Sequence, residues 1–453
     1  MNEKLRPYPA YRDSGIPWLG KIPEHWGVRR LKYILRERDA RSVHGTEQLL
    51  RVSQYTGVTQ RTRADGLDEP DTRAESLVGY RCVQPDDLVV NIMLAWNGSM
   101  GVSRFSGIAS PAYCVYRFGA SAEPWYFHHL LRSPVYKARI KSVSTGVVES
   151  RLRLYTDDLN RLDALSPSAC EQAAIVRFLD HADGRIGRYI HAKQKLIKLL
   201  EEQKQAIIHR AVARGLDCNV RLKSSGVEWI GDVPEHWEVR ALGRCITLQR
   251  GFDITKQQQI EGQIPVISSG GISSFHDRAS SRGPGVVVGR KGSVGIVHYV
   301  QSDYWAHDTT LWVREFNGNV PRFIYYLLVD MDLKRFDTGS ANPTINRNIL
   351  HPEPVAWAPI EEQTRIASFL DRQLQQSDRV IRGVLVSIAR LSEYRTRLVA
   401  DVVTGKLDVR EAAARLPALI EEPASLDDLE SITDSDADAE GADLDIALAE
   451  AET

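Results

Sequence analysis

The stretch SGIPWLGKIPEHWGVR, at residues 14–29, is written a second time as SGVEWIGDVPEHWEVR, at residues 225–240. Ten of the 16 positions are identical, and the spacing between the copies is constant, since Trp26 and Trp237 lie 211 residues apart. Three more positions only exchange one aliphatic side chain for another. We call this stretch the PEHW box, and its recurrence shows that the chain contains an internal duplication.

A second repeated stretch lies downstream of each box. EQAAIVRFLD at residues 171–180 matches EQTRIASFLD at residues 362–371, which is 191 residues later. The same spacing still aligns Leu216-Asp217 with Leu407-Asp408, so the match continues for nearly 47 residues without a gap. The chain therefore consists of a box, a variable region and a long segment, followed by the same three parts again. Because 211 exceeds 191 by 20, the first variable region is about 20 residues longer than the second.

Both long segments are predicted to be helices. The first opens with Ser168 three residues before Glu171, which is a capping-box pattern, and Gly215 is a plausible stop. Apolar residues recur at steps of four and three, which predicts that the two helices pair as an antiparallel coiled coil. Packing of each helix on its own neighbour is the alternative. The seam positions are Ile175, Leu179, Ala182, Ile186, Tyr189, Leu196, Leu200 and Ile207 in the first helix, and Ile366, Leu370, Val380, Val384, Leu391, Tyr394 and Leu398 in the second.

The composition is typical of a soluble globular protein. With 453 residues, 43% of them hydrophobic and 26% charged, the chain is long enough for two or more domains. It contains no apolar run of the ~18 residues that a membrane span needs, and no signal peptide is visible. The five cysteines are scattered without CxxC spacing, which favours a reduced cytoplasmic compartment over disulfides or a zinc site.

The net charge of −1 conceals two regions of opposite character. Residues 421–453 hold 13 acidic side chains and no Lys, Arg or His, whereas the rest of the chain has 58 basic against 46 acidic side chains. This pattern predicts a disordered acidic tail and a basic body that binds a polyanion such as nucleic acid. A surface charge that serves only solubility is the alternative.

The variable regions differ from the long segments in their pattern of residue types. GYRCVQPDDLVVNIMLAW at residues 79–96 and PGVVVGRKGSVGIVHYV at residues 284–300 carry short β-branched runs interrupted by Gly, Pro, Asp and Asn. Such runs predict mixed α/β domains with short strands and many loops. Short helices are predicted at PWYFHHLLRS and PRFIYYLLVD, which occupy corresponding places in the two halves.

Motifs that begin like catalytic ones remain incomplete. The stretch GPGVVVGRKGS lacks the Gly-Lys-Ser/Thr of a phosphate-binding loop, because Arg290 follows Gly289. ANPT at residues 341–344 lacks the second proline and the aromatic residue of an amino-group methyltransferase loop. His307 and Asp308 lack further ligands in the sequence for a metal site. We therefore expect no catalytic residue, no metal site and no cofactor in this chain.

The loops of the variable regions instead carry the residue types that contact DNA. Arginine reads guanine edges, Asn and Gln read adenine edges, and glycine-rich backbone N–H groups bind phosphates. We expect the turn that bears Arg290 and Lys291 to meet a phosphate through its backbone N–H groups and charge, whereas Arg151 and Arg153 could simply face solvent on a strand. The candidate DNA-binding residues are Gln60, Arg61, Trp96, Asn97, Arg104, Arg151 and Arg153 in the first half, and Arg290, Lys291, Trp305, His307, Asn342 and Asn346 in the second.

This architecture resembles the specificity subunit of type I restriction–modification systems over most of residues 12–408. The resemblance implies an α/β (α+β) fold with two target-recognition domains separated by two long helices that pair as an antiparallel coiled coil, in a pseudo-twofold internal repeat. The motifs that carry it are the two PEHW boxes, the EQ…FLD openings of the long segments, SPAYCVY (110–116), GSVG (292–295), WAHDTT (305–310) and GSANPTINRN (339–348). The predicted boundaries are 1–164 and 218–358 for the recognition domains, 165–217 and 359–408 for the helices, and 409–453 for the tail.

The resemblance also implies a function. Each recognition domain would read one half of a bipartite DNA target, and the helices would set the distance between the halves and dock two modification (methyltransferase) subunits. Those partners bind S-adenosylmethionine and methylate adenine N6, and an ATP- and magnesium-dependent restriction subunit cleaves the DNA. This chain would be non-catalytic, with His25 and His236 as hydrogen-bonded structural residues. A fused restriction–methylation enzyme and a coiled-coil scaffold without DNA reading are the alternatives.

Overall fold

The computed structural model describes residues 5–61, 76–146, 148, 151–337 and 344–417. These residues form two compact units, each with its own hydrophobic core. Unit 1 takes its described residues from 1–193 and 387–453, and unit 2 comprises those of 194–386. Within the described part of the chain, no helix is both long enough and apolar enough to cross a membrane.

Unit 1 is built on a four-stranded antiparallel sheet with the strand order β4-β11-β8-β9. Four antiparallel pairs, β1–β2, β3–β12, β5–β6 and β7–β10, complete its strands. The elements in chain order are β1 (Tyr11–Asp13), β2 (Lys21–Pro23), β3 (Gly27–Arg30), β4 (Leu35–Glu37), β5 (Leu50–Ser53), β6 (Gly57–Gln60), β7 (Arg81–Val83), β8 (Leu88–Asn91), β9 (Met100–Val102), β10 (Gly107–Ala109), β11 (Tyr113–Phe118), α1 (Pro124–Leu131), α2 (Pro134–Val143), α3 (Thr156–Arg161), β12 (Asp163–Ser166) and the long helix α4 (Ala169–Arg214).

Unit 2 contains a four-stranded antiparallel sheet with the order β16-β22-β19-β20. Strand β17 pairs with β18 in antiparallel and with β21 in parallel orientation, and β13–β14 and β15–β23 are antiparallel pairs. The elements are β13 (Leu222–Ser224), β14 (Asp232–Pro234), β15 (Glu238–Ala241), α5 (Leu242–Cys245), β16 (Thr247–Arg250), β17 (Ile264–Ser268), β18 (Gly271–His276), β19 (Gly285–Gly289), β20 (Val297–Val300), β21 (Trp305–Ala306), β22 (Thr310–Glu315), α6 (Pro321–Asp330), α7 (Arg347–Leu350), β23 (Pro354–Trp357) and the long helix α8 (Ile360–Val403). A short helix of unit 1, α9 (Arg410–Ala414), follows α8.

The structure extends the duplication into the variable regions. The main sheet of unit 2 repeats the strand order of unit 1 strand for strand, although the sequences of these strands differ. In both units the central strands β8 and β19 are buried at every position, as expected for strands covered on both faces. Helices α1 and α6 each begin with a proline. Proline is favoured there because a backbone N–H at the first helical position would have no intrahelical acceptor. Each of these helices follows a central strand of its sheet, β11 in unit 1 and β22 in unit 2.

The two long helices pack together in antiparallel orientation, which confirms that prediction. Within unit 1, Arg395 of α8 donates to Asp183 of α4 with 2.6 Å between Nε and Oδ1. Within unit 2, Lys204 of α4 forms an ion pair with Asp378 of α8. The partner on α8 therefore moves backward as the position on α4 moves forward.

The sequence also predicts burial of the apolar seam positions, with polar interruptions at Lys193 in α4 and at Gln373, Ser377 and Ser387 in α8. This burial is confirmed near the helix ends but not at every seam position. The predicted positions near the helix ends, such as Ile175 and Leu370, are fully buried in the cores of units 1 and 2. Towards the middle, Tyr189 is 55% exposed and Val380 is 44% exposed. Near each end, apolar residues of both helices share one core with the rest of their unit, as Leu179 and Leu398 do in unit 1 and Ile208 and Leu370 do in unit 2. The charged pairs described above add polar links between the helices.

Candidate nucleic-acid interface

In unit 1 the side chains of the PEHW box form hydrogen bonds with the first turn of α4. The Glu171 carboxylate is only 4% exposed and accepts hydrogen bonds from Trp26 Nε1 at 3.0 Å, His25 Nε2 at 2.9 Å and the Tyr8 hydroxyl at 2.8 Å. Burial and the contact with Glu171 raise the pKa of Tyr8, so its hydroxyl stays protonated and remains a donor. Arg410 adds a positive charge with its Nε 4.0 Å from Glu171 Oε1.

Unit 2 repeats this arrangement at the start of α8. His236 Nε2 and Trp237 Nε1 donate to the two carboxylate oxygens of Glu362 at 2.7 and 3.1 Å. The predicted structural role of the two box histidines is thereby confirmed.

Glu171 has a different role from the one that its spacing to Ser168 indicates. Its backbone N–H lies 3.4 Å from Ser168 Oγ, as a capping box requires, but its carboxylate is occupied by the PEHW box. The sequence does contain a signal for this contact. The His–Trp pair and the glutamate both recur, at spacings of 211 and 191 residues, so each box has one acidic partner in the following helix.

In unit 2, several of the predicted DNA-binding residues converge on the turn at residues 307–309. The segment after β16 joins it, since Phe252 N–H donates to Ala306 O at 2.8 Å. The loop after β19 joins it from another side, because Arg290 Nε donates to Asp308 O at 3.3 Å. The structure therefore brings Arg290, Lys291, Trp305 and His307 together from distant parts of the sequence.

Arg250 belongs to this cluster and was not among the predicted residues. Its Nη2 lies 2.8 Å from Asp308 Oδ2. Burial raises the pKa of Asp308, but the hydrogen bond from Arg250 and the charges of His307, Arg250 and Arg290 outweigh it, so the pKa lies below its ordinary value. Burial also lowers the pKa of Arg290, and the neighbouring Arg250 adds to this effect. The cluster thus places the positive charges of Arg250 and Arg290 beside the ionised Asp308 carboxylate.

The phosphate contact predicted for this loop cannot use the backbone N–H groups of Arg290 and Lys291. The N–H groups of Arg290 and Lys291 both donate to Thr309 O, at 2.8 and 3.1 Å, and are therefore already used. The Lys291 side chain is exposed, and Lys291 lies in a β-bridge with Thr344. At Arg290 and Lys291 this loop therefore offers a ligand side-chain charge and not backbone N–H groups.

The other predicted residues of unit 2 differ in how far their side chains are exposed and hydrogen-bonded within the protein. Trp305 is half-buried, donates from Nε1 to Phe252 O at 3.2 Å and packs edge-on against the ring of Phe252, which is 40% exposed. Asn346 is exposed but caps α7, accepting from Asn348 N–H at 2.9 Å. Asn342 lies outside the described residues.

In unit 1, Trp96 and Asn97 lie in the loop between β8 and β9, which is the counterpart of the loop that carries Arg290 and Lys291 in unit 2. Their polar atoms have internal partners. Trp96 Nε1 donates to Met93 O at 3.1 Å, and Asn97 Oδ1 accepts from Ser99 N–H at 3.0 Å. Lys141 of α2 lies over the Trp96 ring, 5.4 Å from its centroid, so this loop is also flanked by positive charge.

The remaining candidates of unit 1 lie in separate places. Gln60 ends β6 and Arg61 follows it, and both are exposed. Arg151 and Arg153 are also exposed, with Arg153 paired to Thr145 in a β-bridge. Arg104 stacks on the Trp125 ring with 4.2 Å from its guanidinium carbon to the centroid. These candidates of unit 1 therefore belong to different elements of the fold.

One set of potential metal ligands occurs among the described residues. Asp253, His307 and Asp308 each offer a ligand atom, and these atoms lie within 4.8 Å of one another. The sequence alone indicates only His307 and Asp308, because Asp253 is distant along the chain. Arg250 already neutralises Asp308, and His307 Nδ1 is 3.0 Å from Thr309 Oγ1. These partners favour a hydrogen-bonded cluster over a cation site.

Comparison with known proteins identifies the class to which this fold and site correspond. A family model described as "Type I restriction modification DNA specificity domain" matches residues 234–385, which include the whole cluster around residues 307–309. Residues 234–385 are therefore similar to the DNA specificity domain of type I restriction–modification systems, and the predicted resemblance to type I specificity subunits is confirmed.

One relative in sequence and two solved structures are similar to this chain. The putative type I restriction enzyme MjaX specificity subunit of Methanocaldococcus jannaschii is 25% identical over 281 residues, which cover 55% of this chain and 57% of that relative. A chain of the solved structure described as "Structural basis underlying complex assembly and conformational transition of the type I R-M system" shares the fold with a TM-score of 0.62, at 16% identity and over 85% of this chain and 99% of that chain. The crystal structure of the HsdS subunit from Thermoanaerobacter tengcongensis has a TM-score of 0.44, at 16% identity and over 85% of this chain and 98% of that chain.

Proposed function

We propose that this protein is the DNA sequence-specificity subunit of a type I restriction–modification complex. The observation that carries the proposal is the match of residues 234–385 to the DNA specificity domain. The cluster of Arg250, Arg290, Lys291 and Trp305 in that domain supports it, because basic and aromatic side chains together suit phosphates and base edges. In this proposal each recognition domain reads one half of a bipartite target.

The proposal extends to the partners. Two similar halves offer two similar docking surfaces, so two copies of one methyltransferase subunit can bind in equivalent ways. S-adenosylmethionine would be bound by these subunits, ATP and magnesium by the restriction subunit, and none of them by this chain. The protein would then be a non-catalytic, cytoplasmic DNA-binding component of the complex.

A methylome tests this function directly. The chain is co-expressed with its methyltransferase subunit in a host without DNA methylation, and N6-methyladenine is mapped by long-read sequencing. We expect a split sequence motif that appears only when this chain is present. Methylation by an active methyltransferase that ignores this chain would contradict DNA reading and favour the scaffold alternative.

Point substitutions connect the result to the cluster in unit 2. The double variant Arg290→Ala/Lys291→Ala should weaken DNA binding by the complex and lower the slope of log affinity against log salt by about 1 for each phosphate that is no longer neutralised. Arg244→Ala, at an exposed position of α5 in the same unit, is the matched control and should leave the slope unchanged. Equal effects of the double variant and the control would exclude this cluster from the interface.

A further inference from the structure

Unit 1 contains a groove that the proposed function does not use. It has a volume of about 1450 Å³ and lies between α4, α8, α9 and the segment at residues 5–7. Apolar side chains that include Phe178 and Leu398 form part of its lining, and Tyr394, which is 42% exposed, also faces it. We call this feature the α4–α8 groove.

The α4–α8 groove carries a surplus of positive charge. Its three acidic side chains each have a basic partner within unit 1, as the ion pairs Asp401–Lys406, Asp408–Arg410 and Glu411–Arg415 show. Three arginines of its lining, Arg6, Arg185 and Arg397, have no ion-pair partner among the described residues. A ligand that suits this groove therefore combines apolar and acidic groups.

The described part of the chain ends at the edge of the groove. Arg177 of α4 donates from Nη2 to Leu416 O at 2.6 Å and to Pro417 O at 3.2 Å, and Leu416 lines the groove. The described residues end at Pro417, and 36 more residues follow. The first of them have the required composition. Residues 418–432 read ALIEEPASLDDLESI, with five acidic and five large aliphatic side chains and no basic one.

We propose that residues 418–432 occupy the α4–α8 groove of their own chain. The apolar side chains of this segment would cover the apolar lining, and its carboxylates would meet Arg6, Arg185 and Arg397. A segment of 15 residues reaches up to about 50 Å when extended, and it starts at the rim of the groove, so its length does not limit the contact. Residues 433–453 contain acidic residues but fewer large aliphatic ones, and they are not part of the docked segment.

Limited proteolysis of the full-length chain tests the proposal. A glutamate-specific protease can cleave after Glu421 and Glu430 inside the segment and after Glu440 beyond it, whereas the bond after Glu422 is protected by Pro423. Since cleavage follows the population of the undocked state, we expect cleavage after Glu430 to be about tenfold slower than after Glu440 in the unaltered chain. Equal rates at the two glutamates would overturn the proposal.

Substitutions in the groove provide the second measurement. Arg185→Glu/Arg397→Glu removes two unpartnered charges of the groove and should bring the two cleavage rates together. Arg188→Glu/Arg390→Glu makes the same change at exposed positions of α4 and α8 that do not line the groove, and it should leave the difference intact. Thermal unfolding of both variants shows whether unit 1 remains folded. Protection that survives the first double variant in a folded chain would contradict docking in the groove.

Docking within one chain is also distinguishable from exchange between two copies. Intramolecular docking predicts that the protection of Glu430 does not change over a hundredfold dilution of the protein, which is about 2.7 kcal/mol in association free energy. Protection that disappears on dilution would place the segment in the groove of a second copy and overturn the proposal as stated.

Discussion

Glu171 accepts three side-chain hydrogen bonds at a position that solvent scarcely reaches, whereas Glu362, its counterpart, accepts two and is 23% exposed. Glu171→Gln keeps the shape but places an amide N–H₂ group against donors that need an acceptor. We expect a loss of unfolding free energy of about 2 kcal/mol or more, since hydrogen bonds to a buried charged group are the costly ones to break. Glu362→Gln should cost less. Urea unfolding of both variants measures the difference, and an equal or larger cost at Glu362 would contradict the interpretation.

The half-buried pair His128 and His129 in α1 makes a pH-dependent contribution to unit 1. Burial lowers the pKa of His129 to about 4, and the nearby Arg132 adds to this effect while Asp183 opposes it. In the unfolded chain the imidazole takes up a proton near pH 6.5, whereas in the folded chain it stays neutral until pH 4. The unfolded state therefore binds more protons in this window, so stability falls as the pH decreases from 6.5 towards 4.

This sign gives a prediction for His129→Gln, which cannot titrate. The loss of unfolding free energy between pH 7 and pH 5 should be smaller in the variant than in the unaltered protein by about 2 kcal/mol. His191→Gln changes an exposed position of α4 and serves as the control. Urea unfolding at the two pH values measures the effect, and an unchanged pH dependence in His129→Gln would show that another group governs it.

At the residue scale the sequence shows which polar side chains are present, but it does not show whether their polar atoms are free to contact a ligand. Asn97 and Asn346 have the side chains of adenine readers, yet each satisfies a backbone N–H two residues further on, a local role common for asparagine. Arg250 could not be predicted, because its partner Asp308 lies 58 residues away and only the fold joins them. Residue type alone does not show which polar atoms remain free.

At the scale of elements, helix spacing shows which face is apolar but not what covers it. The prediction of two long paired helices is confirmed because identical spacing recurs over nearly 47 residues in both halves. The expected seam is buried near the helix ends, where residues of both helices lie in two separate cores, and is exposed at Tyr189 and Val380 between them. Local periodicity is the same for a helix packed on a domain and for a helix packed on another helix.

Two glycines of α8 and its C-terminus should respond to alanine in opposite ways. Gly383 is exposed inside the helix, and a Cβ there would meet no atom within 4 Å, so Gly383→Ala should raise stability by about 0.5–1 kcal/mol. Gly405 follows the helix with φ of 77°, and a Cβ would lie 2.5 Å from Pro23 Cδ in the PEHW box. Gly405→Ala should therefore be destabilising. Thermal unfolding distinguishes them, and the same sign for both changes would contradict this account.

At the scale of the whole molecule, the duplication is visible in sequence for some parts of the chain and only in strand order for others. The PEHW boxes and the long helices repeat in sequence because each box histidine and tryptophan needs one glutamate at a fixed place. The main sheets repeat only in strand order, because a buried strand tolerates many combinations of apolar residues. Sequence comparison of the halves therefore detects the repeated PEHW boxes and long helices. It misses the equivalence of the two main sheets, whose domains carry the candidate DNA contacts.

The two repeated long helices lead to a prediction about the DNA target under the proposed function. Inserting seven residues of helical sequence after Lys193 in α4 and seven after Val386 in α8 lengthens both helices by about 10.5 Å and nearly preserves their rotational phase. This length corresponds to about three base pairs at 3.4 Å each. We expect the methylome of the double insertion to show the original half-sites with a longer gap between them.

The single insertion, in α4 alone, is the matched control. It shifts one helix against the other by two turns, so the pairs Asp183–Arg395 and Lys204–Asp378 can no longer form together. We expect this variant to lose methylation or to methylate poorly, because its paired helices lose their common register. New half-sites with an unchanged gap in the double insertion would mean that the helices take part in base reading. An unchanged motif in both variants would mean that the helices do not set the gap at all.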